Sequence, residues 1–179
     1  MAELSERIKL SIGAQEQYLN LHAGVLARAG LSLAAALLRG NKLIAIGCPV
    51  VAEHMVAEVV GKYVADRPGL PAIALSENAA SLTAITNDYG RDRVYLRLLD
   101  ALAQPGDFVL GFMAGVDHPA QTAIDHAQKL GLETLVLEIP GAEEWVATEI
   151  FLTAAHLLCE EMELELQRMK PEWFQPAID

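Results

Sequence analysis

A histidine and a glutamate lie four residues apart, just after the first buried strand that the sequence predicts. Residues 43–51 are apolar up to Gly47 and then enter a helical pattern, which indicates a strand, a short turn and a helix. In open α/β sheets ligands bind outside the carboxyl ends of the strands, so a binding loop is expected at this turn. The turn holds one glycine and no hydroxyl group, which leaves little to bind a phosphate. His54 and Glu58 share one face of the helix, and by themselves they are also typical of a hydrogen-bonded surface pair.

The two cysteines of the chain, Cys48 and Cys159, have a spacing that fits neither a disulfide framework nor a structural zinc site. Cys48 falls in the same first turn, where a thiol near a helix N-terminus is a candidate nucleophile. No second His or Lys flanks it, which favours a structural role. Cys159 falls inside an apolar helical pattern and is expected to be a small core residue.

The composition is that of a folded, acidic protein. The chain has 179 residues, of which 53% are hydrophobic and 21% charged, enough for one domain with a full core. No uninterrupted apolar run approaches the roughly 20 residues of a membrane span, and no signal-peptide pattern opens the sequence, so a cytoplasmic location is expected. The net charge of −11 argues against direct binding to nucleic acid or to an anionic membrane, and it permits a basic protein partner.

Strand and helix patterns alternate along the chain, which predicts an α/β fold with a parallel sheet. Apolar residues at helical spacing cover about 5–40, and Gly30 is expected to divide this stretch into two helices. Strands are predicted at 42–47, 71–75, 108–112 and 134–139. Helices are predicted over about 50–65, 81–86, 92–103, 118–130 and 143–169, with a turn at 87–90. We therefore expect a single domain with N-terminal helices (1–40), an α/β core (41–140), a C-terminal helix (141–170) and a tail (171–179).

Four stretches of sequence in the predicted core carry a family resemblance. They read GKY at 61–63, RPGLPAIALS at 67–76, LTAITNDYG at 82–90 and QPGD at 104–107. Together with the order of the elements, they resemble the SIS (sugar isomerase) domain family. The resemblance is greatest to its branch of phosphoheptose (sedoheptulose 7-phosphate) isomerases and the related protein DiaA, which binds the replication initiator. It covers nearly the whole chain, from the N-terminal helices to the C-terminal helix.

The resemblance implies a cluster of catalytic or metal-binding groups. Isomerases of the family carry a His and, four residues later, a Glu on one helix, at positions that match His54 and Glu58. They carry a Gln and a His eight residues apart on the C-terminal helix, at positions that match Thr148 and His156. Imidazole and carboxylate groups suit zinc binding or proton transfer between sugar C1 and C2. By analogy Glu58 would be the base and His156 the acid, and His54, Glu58 and His156 would bind zinc between neighbouring subunits. The apolar neighbours of His156 are equally typical of a core or interface histidine.

Both phosphate loops depart from the family pattern. The first family loop is a glycine-rich turn with a serine; here about three residues are missing, and Gly47 remains as the candidate substrate-binding residue. The second loop carries hydroxyl groups in the family, but residues 112–117 read FMAGVD. Gly115 and Asp117 are then the candidate substrate-binding residues of this loop. Asp117 would repel a phosphate dianion, and it is also typical of a helix N-cap.

Three further segments allow two interpretations each. Asn87 and Asp88 match the family and are candidate substrate-binding residues, or they form a turn through their own side chains. The acidic run at 160–165 is a solvated helix face or a docking surface for a basic partner. Trp173 and Phe174 in the tail are exposed unless they pack against something, such as a neighbouring subunit.

The resemblance implies a three-layer sandwich with a central parallel sheet of about four to five strands and long terminal helices. Residues 140–142 lead into the last helix where the family has another strand, so the sheet is expected to be one strand smaller. Pairing through the helices into a homo-oligomer, a dimer or a tetramer, is also implied. With both phosphate loops degenerate, the favoured function is a binding or regulatory protein with a sugar derivative or a protein as partner. The alternative is a diverged aldose–ketose isomerase of the sedoheptulose 7-phosphate type, using His54, Glu58 and His156, with zinc as the candidate cofactor.

Overall fold

Four parallel strands form the centre of the structure. The computed structural model describes residues 2–115 and 117–174; Val116 of the second loop and residues 175–179 of the tail lie outside the described part. The strands are β1 (Leu43–Gly47), β2 (Ala72–Ala74), β3 (Phe108–Met113) and β4 (Glu133–Glu138), in the order β2-β1-β3-β4. Every residue of β1 and β3 is buried, which is typical of central strands covered on both faces. From β1 the chain adds β2 on one side and then β3 and β4 on the other, so the strand order switches between β1 and β3. Ligands are expected at the carboxyl ends of the two strands at such a switch.

Helices cover both faces of the sheet and complete a three-layer sandwich, as predicted. The helices are α1 (Ala2–Leu38), α2 (Pro49–Val60), α3 (Ala79–Tyr89), α4 (Val94–Leu102), α5 (His118–Lys129) and α6 (Glu144–Met169), with 3-10 turns at Arg91–Arg93 and Pro171–Trp173. Leu43 and Ala45 of β1 point to the face covered by α1, α2 and α6. Ile44 and Ile46 point to the opposite face, covered by α4 and α5. This alternation gives the sheet two apolar cores.

α1 is a single helix, and the predicted break at Gly30 is wrong. A Cβ atom at Gly30 would lie 2.5 Å from Cβ of Glu161 and 3.1 Å from the backbone nitrogen of Met162, both on α6. The glycine therefore lets the two long helices approach closely. Packing along α6 offsets the roughly 1 kcal/mol of helix propensity that glycine lacks relative to alanine.

By length and composition alone, α1 is apolar enough to cross a membrane. An 18-residue window within residues 3–38 has a mean hydropathy of 1.6, and 39% of that window is buried inside the protein. A core helix of a soluble protein passes the same test, so this is a weak indication of a membrane span. The absence of a membrane partner stays a prediction.

Two helix ends differ from the prediction. α2 stops at Val60, five residues early, and Gly61 donates its N–H to the carbonyl oxygen of Ala57. α3 continues through the predicted turn at 87–90 to Tyr89 and ends at Gly90, which has a φ of +86°. Glycine adopts such a backbone without strain, so the helix uses the last residue of the predicted turn as its stop.

The tail aromatics pack on their own chain. Trp173 and Phe174 are half-buried against the core formed by α1, α2 and α6. A neighbouring subunit is therefore not needed to cover them.

Candidate functional site

Two helices bring His54, Glu58 and His156 together within one subunit. His54 and Glu58 lie one turn apart on α2, and His156 lies on α6, which packs beside it. Their candidate ligand atoms all lie within 4.8 Å of one another. Nε2 of His54 is 2.7 Å from Nε2 of His156 and 3.5 Å from Oε1 of Glu58. A second subunit is not required to assemble this cluster, which corrects the arrangement that the family resemblance implied.

The cluster has the donors of a catalytic zinc site. A separation of 2.7 Å between two imidazole nitrogens requires one ring to carry the proton and the other to accept it. The His54 and Glu58 side chains are 35% and 20% exposed, so the cluster is open to solvent. Two histidines and a glutamate form a recurrent set in catalytic zinc sites, which keep a fourth position for water or substrate. The residues present therefore fit a zinc ion.

Thr148 does not join the cluster. Its Oγ1 donates to the carbonyl oxygen of Glu144 and lies 3.9 Å from Sγ of Cys48, at the beginning of α2. Cys48 is half-buried there and makes no side-chain cap for the helix. Thr148, at the position of the family glutamine, thus lies in the contact between α6 and the beginning of α2 and is bonded away from His54, Glu58 and His156.

The ring of Tyr63 stacks on His156 beside the cluster, a contact that the sequence analysis does not predict. Its ring centroid is 5.4 Å from that of His156, with the two planes 27° apart. Burial of the ring, together with nearby carboxylates that include Glu58 and Glu160, raises the pKa of Tyr63. The GKY stretch carries part of the family likeness, but nothing in its spacing indicates a stacking partner.

Glu163 is buried, so the predicted solvated face at 160–165 is wrong at this residue. Its carboxylate bonds to Arg67, which is itself buried. Glu163 follows His156 by seven residues, two helical turns, and so shares its face of α6. That spacing is the signal by which the sequence could have placed Glu163 next to the site.

The turn after β1 is joined directly to β3. Gly47 has a φ of +99°, and a Cβ atom there would collide with the carbonyl oxygen of Phe112. The same oxygen accepts the N–H of Cys48 at 2.9 Å. Pro49, the first residue of α2, has no N–H to offer. At this helix end the N–H of Cys48 is therefore occupied and that of Pro49 is absent, which leaves fewer backbone donors for a phosphate.

The turn after β3 is capped by its own carboxylate. Oδ1 of Asp117 accepts the N–H of Ala120 at 3.3 Å, which confirms the predicted N-cap of α5. Gly115 is exposed with a φ of +76°. Both residues line a cleft of about 290 Å³, together with Glu138 at the end of β4. Two carboxylates thus border this cleft, and their negative charge opposes the binding of a phosphate dianion there.

Asn87 and Asp88 are exposed in the last turn of α3. That helix packs mainly against the Arg91–Arg93 turn and α4, on the other side of the sheet from α6. The structure therefore does not bring these two candidates to the histidine cluster.

Cys159 is a core residue, as predicted. Its thiol is buried and lies 3.4 Å from the sulfur of Met55. Burial raises the pKa of Cys159 to about 12. This thiol is therefore protonated at neutral pH and takes no part in the site.

Comparison with known proteins agrees with this architecture. The chain matches the SIS domain family over residues 12–138. It is 32% identical over 166 residues to a phosphoheptose isomerase of Nitratidesulfovibrio vulgaris, covering 82% of this chain and 80% of that protein. It is 31% identical over 181 residues to a phosphoheptose isomerase of Roseiflexus sp., covering 90% and 92%.

Solved structures show the same fold. The structure of a phosphoheptose isomerase from Francisella tularensis superposes with a TM-score of 0.82 at 22% identity, over 91% of this chain and 97% of that one. One from Neisseria gonorrhoeae gives 0.81 at 21% identity, over 91% and 98%. The family match, the sequence relatives and the fold lead to one assignment. This chain belongs to the SIS domain family, in its phosphoheptose isomerase branch.

Proposed function

We propose that this protein is a homo-oligomeric SIS-domain protein that binds a carbohydrate derivative without using a phosphate group. In this proposal the His54–Glu58–His156 cluster holds zinc, and ordinary phosphosugar isomerisation is absent. The observation that carries the proposal is the state of the two helix ends at the switch point. The N-terminus of α2 starts with Pro49, and the N-terminus of α5 is capped by Asp117.

A phosphate at these loops would need backbone N–H donors and a favourable potential. Cys48 already donates its N–H to Phe112, and Ala120 donates to Asp117. A dianion would have to displace the Asp117 carboxylate and then lie near Glu138. Both steps cost free energy, so we expect a phosphate group to contribute no affinity.

Zinc would supply Lewis-acid polarisation of a bound sugar oxygen when it is present. The protein's own part is to hold two imidazoles and one carboxylate within reach of one point, and the 4.8 Å grouping supports this. Self-association is supported by apolar side chains on the outer face of α1, since Leu4, Ile8 and Leu21 are all more than half exposed. The cytoplasmic location and the absence of a nucleic-acid partner remain parts of the proposal.

A second candidate is an aldose–ketose isomerase, favoured by the convergence of all three groups in one subunit. Such a reaction needs a base to take the proton next to the carbonyl and an acid to protonate the carbonyl oxygen. Glu58 would take the proton from one carbon and return it to the next, and His156 would donate a proton to the oxygen. The names of the relatives support this chemistry.

Metal analysis tests the cluster that both candidates share, and an exchange assay then separates the two. After dialysis against zinc, metal analysis should find one zinc per chain in the wild type and none in His156→Ala. His126→Ala is the matched control, because His126 lies on α5 and bonds to Asp100 at the surface. NMR-monitored incubation with sedoheptulose 7-phosphate should then show no exchange between ketose and aldose. Turnover that is lost in Glu58→Gln would establish the second candidate and overturn the first.

A further inference from the structure

A buried ion pair behind the cluster joins the two helices that carry it. Nε of Arg67 donates to Oε1 of Glu163 at 2.9 Å, and both side chains are buried. The other two guanidinium nitrogens, Nη1 and Nη2, both donate hydrogen bonds to the last turn of α2. Nη2 donates to the carbonyl oxygen of Glu58 at 2.9 Å, and Nη1 donates to that of Val59 at 3.0 Å. Arg67 therefore binds the carbonyl end of α2 and a carboxylate of α6 with one planar group.

The Glu163 carboxylate also organises the chain that follows α2. It accepts backbone N–H groups from Tyr63 at 3.1 Å, Val64 at 3.2 Å and Ala65 at 3.1 Å. The segment is thereby wrapped around the carboxylate. This wrapping places the Tyr63 ring against His156.

We propose that Arg67 and Glu163 are positioning residues that hold α2 and α6 in the register at which His54 and His156 meet. The inference rests on the proposed function for the ligand that this register serves. Arg67 bonds to the carbonyl group of Glu58 itself, and Glu163 lies two turns from His156 on one face of α6. Any slide of one helix along the other would break these bonds and separate the imidazole nitrogens, now 2.7 Å apart.

The test compares Arg67→Lys and Glu163→Gln with Asp107→Asn. Lysine keeps the charge of Arg67 but has no planar fork to bind Glu163 and two carbonyl groups at once. Glutamine keeps an acceptor for the N–H groups and removes the charge. Asp107 is the matched control: it is buried, and its hydrogen bonds go to Lys42 and Gln104, which belong to neither α2 nor α6. Its loss destabilises the protein without touching α2 or α6.

The first measurement needs no metal. In long-range ¹H–¹⁵N spectra of the metal-free protein, the wild type should show one imidazole whose Nε2 carries a proton shared with a second, unprotonated Nε2. Arg67→Lys and Glu163→Gln should lose this paired signature, and Asp107→Asn should keep it. The second measurement is a Co²⁺ titration followed by visible absorption. Arg67→Lys and Glu163→Gln should bind Co²⁺ at least about 10-fold more weakly than the wild type. Asp107→Asn should bind like the wild type.

Each outcome decides the question. If Arg67→Lys and Glu163→Gln keep both the paired signature and the Co²⁺ affinity, the inference is wrong, whatever their melting temperatures. If Asp107→Asn loses the signature as well, the effect is general destabilisation and the inference is again wrong. If the wild type binds no Co²⁺, the metal part of the proposed function fails. The positioning role still stands if Arg67→Lys and Glu163→Gln lose the imidazole pair while Asp107→Asn keeps it.

Discussion

Gly30→Ala should destabilise the protein, although alanine is the better helix former. In an exposed helix interior the change from glycine to alanine gains about 1 kcal/mol. At Gly30 the new methyl group meets Cβ of Glu161 at 2.5 Å and the backbone of α6 at 3.1 and 3.2 Å. Two helix backbones cannot yield as a flexible side chain does, and overpacking of this kind costs about 1–3 kcal/mol. With a central value of about 2 kcal/mol, the net change is a loss of about 1 kcal/mol.

Gly13→Ala is the matched control, since Gly13 lies on the same helix and its Cβ would meet nothing within 4 Å. The control should gain about 1 kcal/mol, so the two variants should differ by about 2 kcal/mol. For a chain of this size each kcal/mol moves the melting temperature by about 2–4 °C, which gives a gap of about 6 °C. Thermal unfolding at one fixed protein concentration measures it. Equal upward shifts in both variants would refute the close approach of α1 and α6.

Three other outcomes are expected. Iodoacetamide at pH 8 should label half-buried Cys48 in the native protein and leave Cys159 unlabelled until unfolding; mass spectrometry of native protein showing label on Cys159 would contradict its burial. Burial raises the pKa of Cys159 and of Tyr18 to about 12 each, from 9.0 and 10.0, so the folded state holds both protons longer than the unfolded state. The free energy of unfolding should therefore be independent of these groups below about pH 9 and fall between about pH 9 and 12, as urea titrations can show. Gly47→Ala should cost about 1–3 kcal/mol for the left-handed backbone alone, and more for the collision with Phe112; an unchanged urea midpoint would refute the joined turn.

Burial on both faces made the sheet predictable from sequence. β1 and β3 are apolar without alternation, and turn signals bound them, so their place in a parallel sheet follows from local pattern. The Asp117 cap is equally local, because its partner is three residues away. Such features need no knowledge of the rest of the chain.

The errors at Gly30 and Glu163 have a different cause, since each depends on a distant partner. Gly30 ends no helix because α6 packs against it, and Glu163 avoids solvent because Arg67 pairs with it. Both partners are about 100 or more residues away along the chain. The meeting of His54 and His156 was likewise available only through family resemblance, since neither spacing nor composition relates residues on α2 and α6.

The central claim is that the site retains its His–Glu–His cluster and has lost its phosphate cradle. The most direct measurement is a pair of calorimetric titrations of the zinc-loaded protein, one with sedoheptulose 7-phosphate and one with sedoheptulose. A working cradle with two charge-assisted hydrogen bonds of about 1.5 kcal/mol each would favour the phosphorylated sugar by about 100-fold. Our account predicts that the phosphate adds no affinity, so the dissociation constant of the phosphorylated sugar is equal or weaker. A preference of 10-fold or more for the phosphorylated sugar would contradict it.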